Sequence, residues 1–252
     1  MSTLKHLSRS TPPRTMRSLP RRAALQLAVL GLASLTLGLS ACGGSDSTPI
    51  DPVLEVSSDG ASSINLAALD AELATIALSP LSDAEAASLS AMREEEQLAH
   101  DVYAASALLW TQQPIFANIA DSEATHSAAV LTLLNRYSLP DPLSGLSTGQ
   151  FATQAVQDLY DSFTATSAQS VIAALQIGAQ IEDMDIRDIT AQEAVVDNAD
   201  ILMVYDHLLR GSRNHLRAFY KVLTKLGATY TPQYISQADF DAIVTSDIET
   251  GP

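Results

Sequence analysis

Ala120-Asp121-Ser122-Glu123-Ala124-Thr125-His126 sits in the middle of an apolar stripe, and that position decides how the chain reads. Phe116, Ile119, Glu123, His126, Val130, Leu133 and Tyr137 recur at steps of three and four. That spacing predicts one face of a helix over 116–137, closed by Pro140 and Pro142. Glu123 and His126, three apart, share the inner face and can grip one ion together. Charged groups seldom enter a core unpaired, so a glutamate and a histidine at mid-stripe ask for a partner.

The same period extends outward on both sides. Ser82 with Glu85 three residues later, just after Pro80, is a capping-box pattern. It opens a helix carrying Met92, Glu96, Ala99, Tyr103, Ser106 and Trp110 that should stop before Pro114. A third helix starts near Ser170 and places Leu175, Gly178, Glu182, Asp185 and Ile189 on one face. A fourth, over 198–226, aligns Ile201, Tyr205, Leu208, Ser212, His215, Phe219 and Val222, and Gly227 supplies its stop. More than thirty residues separate the second and third helices, with a short amphipathic helix between them (Phe151, Ala155, Leu159, Phe163). That is too long for a hairpin and suits an all-α four-helix bundle with one long crossover connection. No strand pattern of any length is present. Residues 230–243 read as turns and one short helix against the bundle.

All four stripes are polar at their centres: Glu96 on the first helix, Glu123 and His126 on the second, Glu182 and Asp185 on the third, His215 on the fourth. Carboxylate oxygen and imidazole nitrogen suit iron and manganese, and zinc as well. Two divalent ions held between four helices would neutralise such buried carboxylates. Taken singly each signal is weak. An isolated E-x-x-H arises by chance, a helical glutamate is usually solvated, and a buried histidine usually bonds a carbonyl. The weight comes from four helices placing such groups at the same level.

Glu96-Gln97-Leu98-Ala99-His100-Asp101-Val102-Tyr103 resembles the E-x-x-A-x-x-x-Y pattern of rubrerythrins and bacterioferritins, and the 120–126 segment is similar to the second helix of rubrerythrins. Met92-Arg93-Glu94-Glu95-Glu96, Gly178-Ala179-Gln180-Ile181-Glu182-Asp183 and the run from Arg210 to Phe219 together resemble the bacterial ferritin-like family called domain of unknown function 2202. The resemblance spans about 81–243. It implies a ferritin-like bundle and, by position, a dinuclear centre with Glu96, Glu123, His126, Glu182 and His215 as ligands. One departure matters: the second E-x-x-H has become Ser212-x-x-His215. That leaves the ligand set one negative charge short, and Asp185, three residues after Glu182, is the expected compensation. Tyr103 fits either as a partner to the ligands or as a packing residue. Glu94 and Glu95 read as a solvated face, with a register slip as the route by which Glu95 would become a ligand. His100 and His207 fall off the stripes and read as surface residues. Arg210, Arg213 and Arg217 read as partners of the acidic surface.

The N-terminus reads as an address. A basic stretch ending at Arg21-Arg22 precedes an uncharged run from Ala23 to Ala41, which closes on Leu39-Ser40-Ala41-Cys42. This resembles a bacterial lipobox, and Arg21-Arg22 resembles a twin-arginine export signal. A transmembrane anchor also fits the run, but the small residues before Cys42 favour acylation. The expected organisation is a lipoprotein-type signal peptide over 1–41, a flexible tether over 42–80 that has room for a short helix near Leu66–Leu78, and a helical domain over 81–252. The expected location is a bacterial cell envelope, with the membrane as partner through a lipid on Cys42.

Composition narrows the function. The chain has 252 residues, 46% hydrophobic but only 5% aromatic, which favours helices over a β-sandwich. All 29 acidic residues follow Cys42, as do only 8 of the 14 basic ones, so the remainder carries a net charge of −21. Such a surface repels phosphate backbones and argues against nucleic acid. A single cysteine excludes an internal disulfide and a cysteine-based zinc site. Three functions fit: a di-iron or di-manganese enzyme acting with oxygen or peroxide, a protein that holds metal without turnover, and a structural bundle whose polar layer is only hydrogen-bonded. The first two share the expected cofactor, two divalent ions. Oligomeric state is not legible.

Overall fold

The computed structural model describes residues 52–250, so the 1–41 segment and Cys42 lie outside the described residues. Seven helices and one small hairpin make up the structure. In chain order they are β1 (Leu54–Val56), β2 (Ser62–Ile64), α1 (Leu66–Leu73), α2 (Asp83–Leu109), α3 (Ile115–Arg136), α4 (Gln154–Ser167), α5 (Val171–Glu193), α6 (Ala199–Lys225) and α7 (Gln237–Thr245).

The four long helices begin and end where local chemistry dictates. Ser82 accepts from the Glu85 amide at 3.2 Å while Glu85 accepts from the Ser82 amide at 2.9 Å, completing the capping box of α2. The other Glu85 oxygen accepts from the Asp197 and Asn198 amides at 3.2 and 3.1 Å, tying the start of α2 to the start of α6. Ser170 caps α5. Gly227, at φ +74°, ends α6, and the following Ala228 amide donates back to the Leu223 carbonyl.

α2 lies along α3 and α5 along α6; α2 also meets α5, α3 meets α6, and α4 bridges α2 and α5. The shared core includes Tyr103, Phe116, Leu133, Leu175, Ile201, Leu208 and Phe219, all fully buried and all on the stripes read from the sequence. The Phe219 ring lies 5.1 Å from Tyr103 and 6.0 Å from Phe116, centroid to centroid. Gly178 lets α5 approach this cluster, since a Cβ there would stand 2.5 Å from the Phe219 ring.

The largest departure from the sequence reading lies before Pro80. Within the tether expected over 42–80 the short helix near Leu66–Leu78 is α1, but a hairpin precedes it and Val53, Leu54, Ile64, Leu69 and Leu73 are buried. β1 and β2 pair antiparallel, Leu54 opposite Ile64 and Val56 opposite Ser62. The turn between them rests directly on α6: Gly60 has φ +96°, and a Cβ on it would stand 3.0 Å from Ala218 Cβ. The Ile64 amide donates to Thr125 Oγ1 at 2.7 Å, and Asn214 Nδ2 donates to Ser62 Oγ at 3.0 Å. Three residues are too few for an alternation to be read from the sequence, and β2 packs against α3 and α6.

Candidate metal centre

Each long helix brings a polar group to one level of the core. Glu96, Glu123, His126, Glu182, Asp185 and His215 are all at most 1% exposed. Glu123 is the hub. One of its oxygens lies 2.9 Å from His126 Nδ1 and the other 2.7 Å from His215 Nδ1. Glu96 flanks the first histidine at 3.4 Å and Glu182 the second at 3.6 Å. Donor atoms of Glu123, His126 and His215 all fall within 4.8 Å of one another, a spacing one ion can bridge. The two imidazoles stack, 5.3 Å apart and 18° from parallel.

These approaches are short, yet they are not aligned as hydrogen bonds. Both oxygens of Glu96 and of Glu123, both oxygens of Asp185, Glu182 Oε2 and the two Nδ1 atoms are buried without a hydrogen-bond partner. A native core tolerates very few such groups, and each calls for an explanation.

The far side of each ring is held firmly. His126 Nε2 donates to the Ser62 carbonyl at 2.7 Å, and His215 Nε2 accepts from the Ser62 amide at 3.0 Å. The backbone of one β2 residue thus turns both Nδ1 atoms inward. Gly211 makes room for the first ring, since a Cβ there would lie 2.6 Å from His126 Cε1. Tyr103 donates to Glu182 Oε1 at 2.7 Å and to the Gly178 carbonyl at 3.2 Å. It is therefore a partner to the cluster as well as a packing residue.

Electrostatics follow from burial. Loss of solvent pushes Glu96 up to about 7, against the pull of His126, and pushes Glu182 up to about 7 with help from the neighbouring Glu123. Burial acts on Glu123 in the same sense, but His126 and His215 outweigh it and hold the carboxyl below its ordinary range. Asp185 is raised well above its ordinary value by burial and by Glu95, Glu182, Glu96 and Glu123. Burial disfavours a charged His215, but Glu123 and Glu182 raise it to about 9.

Several expected placements differ. Ser212 is buried at the expected level, but its hydroxyl donates to the Leu208 carbonyl at 3.2 Å and so serves its own helix. Glu94 is no solvated face residue: it is buried and accepts from the Ala152 and Thr153 amides at 2.6 and 3.0 Å, anchoring the start of α4. His207 is buried rather than on the surface. Asp183, off the stripe, is also buried, accepting from the Tyr230 hydroxyl and from the Gln233, Tyr234 and Ile235 amides. Arg213 and Arg217 both pair with Glu249, and Arg210 pairs with Asp206. Ser62 escaped the sequence reading because it acts through its peptide group, which no side-chain pattern reveals. Gly211 gave only the bare signal of a glycine inside a helix.

Fold and site together define a class: a helical protein with a buried layer of carboxylates and histidines drawn from four helices. The sequence profile described as Uncharacterized protein domain (DUF2202) matches residues 85–247, and the chain belongs to that family. It is 45% identical over 172 residues to the uncharacterized protein MJ0754 of Methanocaldococcus jannaschii, covering 68% of this chain and 92% of the relative. The crystal structure of that hypothetical protein superposes with a TM-score of 0.67 at 43% identity, covering 69% of this chain and 99% of the other. The relative is archaeal, and an archaeon has no bacterial cell envelope. This corrects the placement of the chain in such an envelope through an acylated Cys42. Among the described residues, no helix is long and apolar enough to cross a membrane.

Proposed function

We propose that the chain is a ferritin-like bundle that holds two divalent metal ions, iron or manganese, in the layer formed by Glu96, Glu123, His126, Glu182 and His215. The observation that carries this reading is the set of buried, unpartnered oxygens and Nδ1 atoms turned toward one another around Glu123. Cations satisfy such a set as hydrogen bonds cannot, and the mixed oxygen and nitrogen donors match the preferences of iron and manganese, with zinc also accommodated. Glu96 and His126 would hold one ion, Glu182 and His215 the other, with Glu123 shared. Asp185 would supply the fourth negative charge that Ser212 does not. Bound there, such a pair of ions supplies Lewis acidity and, for iron or manganese, electron transfer to a small oxidant such as oxygen or peroxide. The chain's own part is to fix the ligands: Ser62 and Gly211 set the rings, and Tyr103 holds Glu182.

Elemental analysis after dialysis tests the reading. Wild type should retain close to two ions per chain, Glu123→Ala and Glu182→Ala should lose them, and Glu94→Ala should keep them. Equal metal in all four would leave a hydrogen-bonded polar core. Mixing the anaerobic ferrous protein with peroxide, then with oxygen, separates turnover from storage.

A further inference from the structure

The ligand layer has no face on solvent: Glu96, Glu123, His126, Glu182 and His215 are at most 1% exposed, so an ion reaches them only where some element moves aside. The proposed ligands all fall inside the segment that the family profile matches, 85–247, and the β1–β2 hairpin precedes it. That hairpin lies on α3 and α6, with both histidines directly behind its Ser62. Its buried apolar side chains are Val53, Leu54 and Ile64, and the rest of its grip is polar. The Ile64 amide donates to Thr125 Oγ1 at 2.7 Å, Asn214 Nδ2 donates to Ser62 Oγ at 3.0 Å, and the Ser63 and Ser122 hydroxyls meet at 3.2 Å. At the turn, Asn118 Nδ2 donates to Asp59 Oδ2 at 2.7 Å. Each of these bonds exchanges for one to water at small net cost, and two three-residue strands have little stability of their own. Open grooves of about 360 and 310 Å³ flank the turn, and Asp59 lines both. Beyond the hairpin the chain is pinned again. Asn65 caps α1, Leu69 and Leu73 are buried, and Arg136 Nη2 donates to the Ile76 carbonyl at 2.6 Å. Asn65 is therefore the pivot.

The latch acts on the ligands themselves. The Ser62 amide donates to His215 Nε2, so that nitrogen must carry a lone pair. Once His215 ligates through Nδ1, the ring proton sits on Nε2 and faces the Ser62 N–H, donor against donor. His126 meets no such conflict, because its Nε2 already donates to the Ser62 carbonyl. Loading thus breaks one of the two bonds by which Ser62 holds the rings and spares the other.

Resting on the di-metal reading, we propose that the β1–β2 hairpin is a lid over the α3–α6 side of the centre, that ions enter when it lifts about Asn65, and that loading unlatches it at His215. The population of the lifted state sets the rate of filling, and the ligand layer sets the final amount.

A reversible lock tests the lid. Ser63→Cys with Ser122→Cys, in a Cys42→Ser background, places two thiols where the hydroxyls now touch, within reach of a disulfide. Rapid mixing of the apo full-length chain with manganous ion, followed by loss of the free-ion paramagnetic resonance signal, reads rate and amount. The oxidised protein should fill more slowly by about tenfold or more, and the same protein, reduced and desalted, should return to the wild-type rate. Ser63→Cys alone, carried through the same oxidation, should not slow. Thr125→Val removes the acceptor of the Ile64 amide and should speed filling about fivefold, the worth of one hydrogen bond. Hydrogen exchange over 53–64 reads the unlatching: manganous ion should speed it although amides of α2 and α5 slow. Equal filling of the oxidised and reduced lock overturns the lid, and slower or unchanged exchange over 53–64 on loading overturns the unlatching. Wild type that takes up no manganous ion overturns the di-metal reading and the lid with it, a failure told apart from the others because amount is read separately from rate.

Discussion

The Ser62 amide donates to His215 Nε2 at 3.0 Å, so the proton of a neutral His215 ring sits on Nδ1, the atom that faces Glu123. His126 is set the other way, because the Ser62 carbonyl can only accept and therefore fixes the proton on His126 Nε2. Neutral His126 offers its Nδ1 lone pair inward, while His215 must move a proton and shift against the hairpin to do the same.

Two bound ions should therefore differ in affinity. Titration of the apo protein with manganous ion should show two steps separated by tenfold or more, equivalent to about 1.4 kcal/mol. His126→Ala should remove the tighter step and His215→Ala the weaker. Ser212→Glu, which restores a fourth glutamate beside His215, should draw the steps together. Two equal steps that ignore all three substitutions would show the site to be symmetric.

The apo protein should lose stability as pH rises from about 5 to 9. Glu96 and Glu182 at about 7, Glu95 at about 8 and His126, held well above its ordinary value by Glu123 and Glu96, are all raised, so across this window the folded chain binds more protons than the unfolded one. Stability then falls with pH. The lowered Glu123 opposes this only below its ordinary value of 4.5. A loss of even 1 kcal/mol lowers Tm by about 2–4 °C for a chain of this size. Excess manganous ion should flatten or reverse the slope, since metal takes the place of the protons. Thermal melts of apo and loaded protein at pH 5, 7 and 9 check the sign, and an apo Tm that rises across the window would contradict it.

Gly211→Ala should act on the site from outside it. The new Cβ would stand 2.6 Å from His126 Cε1 and 2.9 Å from Nε2, so the ring must leave the Ser62 carbonyl. Crowding of this kind costs about 1–3 kcal/mol. Metal content should fall as it does in His126→Ala, although no ligand has been removed. Unchanged metal and unchanged Tm would mean that α6 shifts freely at this point.

How much the sequence reveals depends on what each residue uses to act. Glu123, His126 and Phe219 act through side chains at helical spacing, and the period shows their common face. Glu85 announces itself because its partner Ser82 is three residues away. Ser62 acts through its peptide, and its partners His126 and His215 lie 64 and 153 residues along the chain, so no local pattern carries it. Glu94 and Asp183 are hidden for a related reason. Both are buried carboxylates satisfied by amides of distant loops, which a helical wheel cannot distinguish from solvated ones.

Tyr103→Phe should separate packing from support of the ligands. The ring stays against Phe219, but Glu182 Oε1 loses a donor at 2.7 Å. Loss of such an outer partner typically weakens metal binding by about 10–100-fold. The effect should fall on the step that also depends on His215, because Glu182 flanks that ring. Equal weakening of both steps, or none, would return Tyr103 to a purely packing role.

Asp183 and Asp185, two residues apart on α5, should respond in opposite ways. Asp183 accepts from one hydroxyl and three backbone amides that fix the chain after α6, and Asp185 accepts from nothing. Asp183→Asn turns an amide group toward donors that need an acceptor, and should cost about 2–4 kcal/mol with metal stoichiometry intact. Asp185→Asn removes a charge that burial disfavours, so the apo protein should gain stability at pH 8, where an ionised Asp185 is most costly. At pH 5 the gain should be smaller, because Asp185 is raised by burial and the cost of that shift falls as the pH falls toward the ordinary carboxylate range. The same substitution should weaken the ion beside His215. A residue that lowers apo stability yet tightens metal is held in place by binding rather than by folding. Melts of both variants at the two pH values, with and without manganous ion, test the contrast, and a destabilised Asp185→Asn apo protein at pH 8 would end it.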